Sequence, residues 1–288
     1  MPETGPQRTW RPMLSIMMLI LGGAQLGLRY GPSQSRTLSK RIVSTMLQDA
    51  AELGFGALDT APGYGRSEAL AGETWTGEVH TKISSECDPV ASLKQSLKSL
   101  RRKHVDIAYF HDWRALRSPE NVRRVHAKLK PMLATKLGVS IYDPEDWQRF
   151  LELEELEAVQ LPMSVLDQRF TNTVWDHSDA SKQVFARSAL FRGLLAGEAY
   201  RLEKSALKPQ ISLLRQIAGD HRIPLQEIAI RWILSVPGVT GIVLGADSLK
   251  QMRESARMFK KGPLQKEIID GLRDIPQPDP ELLDLRRW

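Results

Sequence analysis

The sequence lacks the residues that build disulfide frameworks and cysteine-based metal sites. Its 288 residues contain a single cysteine, Cys87, and six histidines. One thiol excludes an intramolecular disulfide and is typical of a reducing compartment, so we expect a cytoplasmic protein. An all-cysteine metal site is excluded for the same reason, and no two histidines have the spacing of metal ligands. We therefore expect no bound metal.

The sequence also lacks an apolar run long enough to cross a membrane as a helix. The main apolar run, from Met13 to Ala24, follows Arg8 and Arg11 and ends in small residues, as the apolar core of a secretory signal does. Such a run is also typical of a buried parallel strand. We favour the strand, because the alternating pattern described below would otherwise lose its first unit.

Positive charge is in excess but is not concentrated in one place. The formal net charge of +6 favours an anionic ligand or partner. Two basic runs, Arg101 to His104 and Arg123 to Lys130, lack the interleaved aromatic residues of a single-strand nucleic-acid surface and are more typical of solvated helix faces. We expect a small-molecule ligand, no nucleic-acid partner and no membrane association.

Apolar segments alternate with helical segments along the chain, and eight of the apolar segments have the length of strands. Strict alternation requires parallel strands with right-handed crossovers. Eight units predict a single (β/α)8 barrel within residues 1–288; an open doubly wound sheet is the alternative. A proline-rich tail from about residue 274 is expected to pack over or beside the barrel. The predicted strands are Ser15–Leu21, Ala57–Thr60, Glu78–Ser84, Val105–His111, Thr135–Ile141, Leu156–Pro162, Gln183–Leu190 and Thr240–Ala246.

Helix boundaries are predicted from caps and breakers. Asp88 and Asp143 each precede a proline, which is the pattern of an N-cap followed by proline in the first turn. No element is predicted for the polar stretch Thr171 to Lys182. The predicted helices are Thr37–Leu53, with Leu38, Ile42, Met46 and Leu47 as its buried face, and Ser67–Ala71, Pro89–Arg102, Pro119–Leu129, Pro144–Leu153, Leu207–Gly219, Pro224–Ser235 and Ser248–Phe259.

Four residues suited to acid–base chemistry lie at the ends of three consecutive predicted strands. Asp59 ends the second strand, and Tyr64 lies on the glycine-rich loop after it; Lys82 and His111 lie at the ends of the next two. In a barrel of this type, the chemistry lies where strands end and βα loops begin. A carboxylate at the end of a buried strand is costly unless it is paired, so we expect Lys82 to lie beside Asp59.

Together these residue types favour proton donation to a carbonyl. A phenol has a pKa of about 10; the ammonium of Lys82 should lower the pKa of Tyr64, while Asp59 keeps the lysine charged. Tyr64 would then act as an acid towards a carbonyl oxygen, which His111 would orient and polarise. Taken singly, each residue has another explanation: Lys82 pointing to solvent, Tyr64 exposed in a turn, and His111 hydrogen-bonded in the core.

The segments that carry these four residues resemble the signatures of the aldo-keto reductases. They are "GFGALDTAPGYGRSE" around Asp59 and Tyr64, "VHTKIS" around Lys82 and "VDIAYFHDW" around His111. The resemblance covers the barrel from about Ile16 to Phe259 and implies an oxidoreductase that interconverts a carbonyl and an alcohol. It implies Tyr64 as general acid, Lys82 and Asp59 as the pair that tunes it, and His111 as the residue that positions the carbonyl. Hydride would come from a nicotinamide cofactor.

The resemblance also implies a dinucleotide site, with NADP(H) expected in preference to NAD(H). Asp247 falls where many relatives have serine or arginine near the 2′-phosphate; it could instead accept from a free 2′-hydroxyl or be a helix N-terminal residue without a ligand. Lys250 and Arg253 remain available for a phosphate. Arg187 stands where an aromatic ring often stacks on nicotinamide; its guanidinium could stack instead, or form an ion pair at the barrel rim. The implied cofactor-binding residues are Gly22, Gly23, Asp59, Ser140, Gln160, Arg187, Ser188, Gly245, Asp247, Gln251, Glu254 and Ser255.

The glycine-containing segment Leu21 to Gly27 resembles the family's first strand and loop. By itself it also matches a degenerate G-x-G-x-x-G fingerprint, with Ala24 at the second glycine. A Rossmann turn should open directly into a helix, whereas a polar stretch with a proline follows Gly27, so we reject that interpretation.

Two other functions remain open. One is a barrel enzyme that forms a Schiff base through Lys82, and the other is a catalytically silent cofactor-binding or redox-sensing module. If the chain is a reductase, its substrate is expected to be a small aldehyde, ketone or sugar derivative, and the protein a monomer or weak oligomer. Specificity is expected to reside in Trp113 to Pro119, in Thr171 to Lys182 and in the tail.

Overall fold

Eight parallel strands close into a barrel, in which the first strand is hydrogen-bonded to both the second and the eighth. The closed sheet confirms the predicted (β/α)8 barrel and rules out the open doubly wound sheet. The computed structural model describes residues 17–30, 37–112, 116, 118–130, 132–177, 179–196 and 205–287. The strands are Met18–Gly22 (β1), Ala57–Asp59 (β2), Glu78–Ile83 (β3), Val105–Phe110 (β4), Ala134–Ser140 (β5), Ala158–Pro162 (β6), Gln183–Arg187 (β7) and Gly241–Gly245 (β8).

Helices cover the outside of the barrel. The polar stretch Thr171 to Lys182, for which no element is predicted, begins with a five-residue helix. Turns of 3₁₀ helix occur at Phe191–Gly193, Ser205–Leu207 and Leu285–Arg287. The α-helices are Ala24–Gly27 (α1), Lys40–Leu53 (α2), Ser67–Thr74 (α3), Pro89–Leu100 (α4), Pro119–Leu129 (α5), Asp146–Glu152 (α6), Thr171–Trp175 (α7), Lys208–Asp220 (α8), Leu225–Leu234 (α9), Leu249–Phe259 (α10), Lys266–Arg273 (α11) and Pro280–Leu283 (α12).

The helix α2 buries a face that is only partly the predicted one. Leu38 precedes the helix, because Ser39 is the N-cap and accepts a hydrogen bond from the backbone N–H of Ile42. Ile42 is 45% exposed, so the prediction is wrong at that position, whereas Leu38 is half-buried and packs against the core from ahead of the helix. The buried stripe starts at Val43, one residue after Ile42. It has the spacing i, i+3, i+4 and i+7 and faces the barrel. The buried residues are Val43, Met46, Leu47 and Ala50.

The two predicted aspartate caps behave differently. Asp88 is the N-cap of α4, and its side chain accepts hydrogen bonds from the backbone N–H groups of Val90 and Ala91. Asp143 is not a cap: its backbone carbonyl accepts from Asp146, which is the first residue of α6. Residues 143–146 therefore form a turn ahead of the helix, since a proline that follows an aspartate suits a turn as well as a helix start.

The first apolar run forms a strand where the structure describes it. Met18–Gly22 is β1 and pairs with β2 and β8, whereas residues 13–16 lie outside the described residues. A helix does open directly after β1, contrary to expectation, but α1 has only four residues. The Rossmann interpretation is still excluded, because β1 belongs to a closed barrel rather than to an open sheet.

Aromatic rings fill the barrel interior below its carboxyl-terminal mouth. His80, Tyr109 and Phe185 meet edge to face, with ring centroids 5.1–6.3 Å apart. Gly138 on β5 leaves room for one of these rings, because a Cβ there would lie 2.6 Å from Cδ1 of Tyr109. The barrel is therefore a packed core, and the space for a ligand lies above the rings.

The chain after α10 packs against the barrel. Ile275, Leu283 and Leu285 are buried in the main hydrophobic core. The backbone carbonyl of Leu285 accepts a hydrogen bond from Arg192, which lies in the loop after β7. The end of the tail thus lies against the carboxyl-terminal mouth of the barrel.

One of the stretches expected to hold specificity residues, Trp113 to Pro119, is described only in part. Residues 113–115 and 117 lie outside the described residues.

Within the described part of the chain, no helix has the length and apolar character that a membrane span needs.

The contact at Gly138 yields a prediction about stability. Gly138→Ala should lower the free energy of unfolding by about 1–3 kcal/mol, because the added Cβ would meet the Tyr109 ring and the Ala158 carbonyl. Urea denaturation measures the change. Gly219→Ala is the matched control: nothing lies within 4 Å of a Cβ there, and alanine in α8 should be neutral or stabilising. Equal stability of the two variants would contradict the packing described for Tyr109.

Candidate active site

The carboxyl-terminal ends of the strands surround a cavity of about 290 Å³. The four predicted catalytic residues line it together, and so do most of the predicted cofactor positions. Gly23, Glu254 and Ser255 are not among its lining residues. The predicted residues that line the cavity are Gly22, Asp59, Tyr64, Lys82, His111, Ser140, Gln160, Arg187, Ser188, Gly245, Asp247 and Gln251.

Asp59 and Lys82 form a buried ion pair at the base of the cavity. The Lys82 side chain is 2% exposed, and its Nζ donates to both carboxylate oxygens of Asp59 at 2.8 Å and to the carbonyl of Thr60 at 3.1 Å. Gln160 Nε2 donates to Asp59 Oδ1 at 2.7 Å. Lys82 therefore points into the barrel rather than to solvent, and three strands contribute to one network.

The pair keeps Lys82 in its charged form. Burial alone would lower the pKa of Lys82, but the negative charge of Asp59 and the contact with Tyr64 outweigh burial and raise that pKa above its ordinary value. An ammonium that is charged at neutral pH is a source of positive potential and not a free amine nucleophile.

The loop that carries Tyr64 is fixed at both ends. The Tyr64 backbone N–H donates to the carbonyl of Ala61 and its carbonyl accepts from Ser67, both at 3.0 Å. Ser67 also accepts a hydrogen bond from the Thr60 hydroxyl at 3.0 Å, which ties the start of α3 to the end of β2. Lys82 Nζ lies 4.9 Å from the centroid of the Tyr64 ring. The phenol is thus held beside the ammonium.

The pKa of Tyr64 shifts in the direction opposite to the one expected. Burial raises the pKa of Tyr64 above 10.0, and the opposing effect of Lys82 is smaller; Asp59 adds to the increase. The prediction considered the charges but not the loss of water around the phenol. Tyr64 therefore keeps its proton throughout the neutral range and can donate it.

His111 follows β4 and is an exposed residue at the wall of the cavity. Partial burial, together with the positive charges of Lys82 and Arg187, lowers its pKa to about 4; Asp59 and Asp112 act in the opposite direction. The imidazole is therefore neutral at physiological pH, and one ring nitrogen remains able to donate a hydrogen bond. The alternative of a hydrogen-bonded core histidine does not fit this position at the cavity wall.

Glu68 is a buried acid near the site that the sequence interpretation missed. It accepts a hydrogen bond from the Thr81 hydroxyl at 2.7 Å, and burial raises its pKa. Thr81 precedes Lys82 on β3, so the two side chains point to opposite faces of the sheet. The Glu68–Thr81 bond thus anchors α3 on the outside of the strand whose inner face carries the lysine. Strand alternation makes Thr81 an outward residue, but the sequence does not indicate its partner.

Two predicted nicotinamide contacts lie side by side. Ser140 and Gln160 are register partners on β5 and β6 and both line the cavity. The side-chain amide oxygen of Gln160, Oε1, is buried and has no hydrogen-bond partner among the described residues. An unpartnered buried acceptor is costly, and a carboxamide N–H would satisfy it. The site therefore fits the carboxamide of a nicotinamide ring.

Gly23 has a packing role. A Cβ at this position would lie 2.7 Å from the Asp59 carbonyl and 2.7 Å from Ser67 Oγ. The Gly23 backbone N–H donates to the same carbonyl at 2.7 Å. The glycine therefore lets the end of β1 approach the end of β2 closely, where it holds the strand that carries Asp59.

Arg187 stacks on a tyrosine of the protein. Its guanidinium carbon lies 4.0 Å from the centroid of the Tyr142 ring, and it donates to the Ile141 carbonyl at 3.3 Å and to Ser188 Oγ at 3.4 Å. No carboxylate of a described residue pairs with Arg187, so the rim ion pair is not formed. Tyr142 was not predicted, because its contact with β7 depends on barrel closure.

The loop after β7 has a strained backbone. Ser188, Phe191 and Arg192 have φ of 63°, 48° and 54°, the left-handed region that non-glycine residues seldom adopt. Ser188 and Arg192 also line the cavity. Clustered strain beside a cavity is typical of a functional loop.

The segment after β8 presents one acid to the cavity and keeps one base away from it. Ser248, rather than Asp247, is the N-cap of α10, and its hydroxyl accepts from the Gln251 N–H. Asp247 lines the cavity, and its backbone N–H donates to Gln251 Oε1 at 3.1 Å. Arg253 is engaged by Asp49 at 2.9 Å. A phosphate near this turn would therefore meet Asp247 before it met Arg253.

The residues that the structure describes contain no group of three or more histidine, cysteine, aspartate or glutamate side chains placed to hold an ion.

Comparison with known proteins agrees with this geometry. The model of the aldo/keto reductase family matches residues 18–276. An uncharacterized oxidoreductase, YqkF, of Bacillus subtilis is 21% identical and covers 83% of this chain and 89% of its own length. The NADH-specific methylglyoxal reductase of Escherichia coli is 22% identical over 78% of this chain and 85% of its own.

Solved structures with the same fold include two oxidoreductases. The aldo-keto reductase AKR11C1 from Bacillus halodurans, in its holo form, superposes with a TM-score of 0.78 at 19% identity, covering 90% of this chain and 92% of its own. The glycerol dehydrogenase AKR11B4 from Gluconobacter oxydans gives a TM-score of 0.70 at 21% identity, covering 89% and 90%. At these identities the structural likeness establishes the fold.

The buried pair yields a prediction that does not depend on turnover. Lys82→Met should lower the free energy of unfolding by about 3–5 kcal/mol, because it leaves the Asp59 carboxylate buried without its cation. The double variant Asp59→Asn/Lys82→Met should recover much of this loss, since it removes the unpaired charge. Urea denaturation of both variants tests the pair. A Lys82→Met protein as stable as wild type would show that the lysine charge is not buried beside Asp59.

Proposed function

The chain belongs to the aldo/keto reductase family, and from that premise we propose that it reduces an aldehyde, ketone or sugar carbonyl to an alcohol, or catalyses the reverse. The observation that carries the proposal is the meeting of Tyr64, Lys82 and His111 at one cavity, with Asp59 holding the lysine charge. A bound nicotinamide nucleotide supplies the hydride in this reaction.

Tyr64 is the proposed general acid. As hydride reaches the carbonyl carbon, the oxygen gains negative charge and needs a proton. The phenol is protonated at neutral pH, and the Lys82 ammonium beside it stabilises the phenolate that remains after the proton has left. In alcohol oxidation the same phenolate would accept the proton.

His111 is proposed to orient the carbonyl. Its low pKa leaves it neutral, so it donates a hydrogen bond from an imidazole and does not compete with Tyr64 as a proton source. In this role a neutral histidine polarises the carbonyl through a hydrogen bond, while another group carries out the proton transfer.

Ser140 and Gln160 are proposed to hold the nicotinamide carboxamide, since Gln160 offers an unpartnered buried acceptor. Gly22, Ser188, Gly245 and Gln251 would lie along the remainder of the cofactor, because all four line the same cavity. Glu254 and Ser255 could contribute only if the adenosine end extended beyond the cavity. We propose NADP(H) as the cofactor, with Lys250, which is exposed in the first turn of α10, available to its 2′-phosphate and with Asp247 weakening the preference over NAD(H).

The substrate class follows from the family and from its relatives. The Escherichia coli relative is a methylglyoxal reductase, and the Gluconobacter oxydans structure is a glycerol dehydrogenase. Both names indicate small oxygenated substrates, so we propose a small carbonyl compound or sugar derivative.

The Schiff-base alternative is disfavoured, because the pairing of Lys82 with Asp59 keeps the amine protonated. Single-cysteine composition supports a cytoplasmic protein, and a monomer or weak oligomer is the proposed state.

The general-acid assignment is tested by Tyr64→Phe. This variant should lose about 10²–10⁴-fold in the rate of carbonyl reduction, while its affinity for NADPH stays near that of wild type, because the phenol donates a proton rather than holding the cofactor. Steady-state kinetics and fluorescence titration of NADPH measure the two effects. Tyr109→Phe is the matched control, since Tyr109 is fully buried and is not among the lining residues of the cavity. Near-normal turnover by the Tyr64 variant would refute the role, and failure of wild type on every carbonyl despite tight cofactor binding would favour the silent module.

The cofactor preference is tested by Asp247→Ser. If Asp247 faces the adenosine ribose, its charge repels a 2′-phosphate by roughly 2–4 kcal/mol at several ångströms and an effective dielectric constant of about 20. Solvent screening reduces this, so the NADPH/NADH ratio of kcat/KM should rise about tenfold or more. Ser248→Ala is the matched control: it removes the cap of α10, costs about 1 kcal/mol of stability and should leave the ratio unchanged. An unchanged ratio in the Asp247 variant would exclude that residue from cofactor selection.

A further inference from the structure

The cavity carries an excess of positive charge on the side of β7. Arg187 and Arg192 line it there, whereas the charge of Lys82 is matched by Asp59. Among the described lining residues the acids are Asp59 and Asp247, and Asp247 belongs to the turn after β8. A ligand that reaches the β7 side therefore meets the guanidinium of Arg187, which pairs with no carboxylate of a described residue.

Arg187 is oriented by contacts that leave its charge unbalanced. It lies over the Tyr142 ring at 4.0 Å and donates to two neutral oxygens, those of Ile141 and Ser188. A guanidinium has five N–H donors in a planar fork, so these two bonds leave spare donors along its edge. The tyrosine covers one face of the guanidinium, and the edge is where carboxylate and phosphate groups bind in pairs of hydrogen bonds.

Arg286 provides a contrast on the same tyrosine. Its guanidinium carbon lies 4.1 Å from the Tyr142 ring centroid, but its Nε and Nη2 donate to the two carboxylate oxygens of Asp284 at 2.8 and 2.9 Å. The charge of Arg286 is therefore neutralised within the tail, while that of Arg187 is not. Arg187 and Arg286 both stack on Tyr142, but Arg187, which lines the cavity, has no carboxylate partner among the described residues.

The charge of Arg187 also acts where the carbonyl would lie. It is one of the two positive charges that lower the pKa of His111. An anion held by Arg187 would therefore lie close to the residue proposed to position the carbonyl. The uncharged imidazole would not compete with Arg187 for that anion.

We propose that the substrate carries a carboxylate or phosphate group in addition to its carbonyl, and that the edge of Arg187 binds this anionic group while Tyr64 and His111 hold the carbonyl oxygen. This assignment rests on the reductase function proposed above and narrows its substrate class. It makes Arg187 a specificity residue for the substrate, instead of a group that stacks on the nicotinamide.

Matched substrate pairs test the assignment with the full-length protein. One pair is glyceraldehyde and glyceraldehyde 3-phosphate, and the other is butanal and 4-oxobutanoate; each pair differs by one anionic group. Wild type should prefer the anionic member of at least one pair, and which pair responds distinguishes phosphate from carboxylate recognition. Arg187→Gln should lower kcat/KM for that member about 10- to 100-fold and leave the neutral member and the Kd of NADPH little changed.

Two further variants keep the test informative. Arg187→Lys keeps the charge without the planar fork, so its anion preference should fall between those of wild type and Arg187→Gln. Arg286→Gln removes a cation from the same ring contact and should keep the wild-type preference, because that cation is already paired with Asp284. Melting temperatures show whether any loss reflects unfolding.

Several outcomes would overturn the inference. Equal losses on the neutral and anionic members, or a weakened NADPH complex, would assign Arg187 to the cofactor. Turnover of neutral aldehydes without any preference for their anionic partners would refute the inference and leave the reductase function standing. A wild-type protein that reduces no carbonyl compound with either cofactor would refute both.

Discussion

The ion pair between Asp59 and Lys82 constrains the whole mouth of the barrel, because neither charge would be tolerated there alone. The two side chains are 6% and 2% exposed, and a buried pair is stable only when its remaining hydrogen-bonding groups are also satisfied. Gln160 on β6 and the Thr60 carbonyl after β2 supply those bonds. Strands that are far apart in sequence, β2 and β6, are therefore linked by one electrostatic requirement.

The aromatic layer below the pair strengthens it. His80, Tyr109 and Phe185 fill the barrel and keep water from reaching the pair from beneath, and charges interact more strongly where water is excluded. Loss of water also acts on the neighbouring groups: burial raises the pKa of Tyr64, and partial burial together with the charges of Lys82 and Arg187 lowers that of His111. At neutral pH both groups are thus uncharged donors beside a fixed ammonium, which is what proton delivery to a carbonyl needs.

The fold and the central part of the site could be predicted because they rest on local signals. The strands are apolar runs between caps and breakers, and the ends of parallel strands meet at one edge, so Asp59, Lys82 and His111 converge without knowledge of side-chain packing. The remainder depends on closure of the barrel. Tyr142 meets Arg187 only because β5 and β7 stand on either side of β6, and the exposure of Ile42 reflects how α2 lies on the sheet. No local pattern encodes either contact.

The Tyr64 pKa shows the limit of arguing from charge alone. The sequence identifies the nearby cation correctly, and that cation does lower the pKa; the net shift is nevertheless upward, because burial outweighs it. Burial is a sum over the whole surroundings, including α1 and the loop after β2, and a sequence motif does not contain that sum. The consequence for mechanism is favourable to reduction: an acid that must give up a proton at neutral pH has to retain it until the carbonyl oxygen becomes basic enough to take it. Lys82 then matters most at the moment of transfer, when it stabilises the phenolate that burial alone would disfavour.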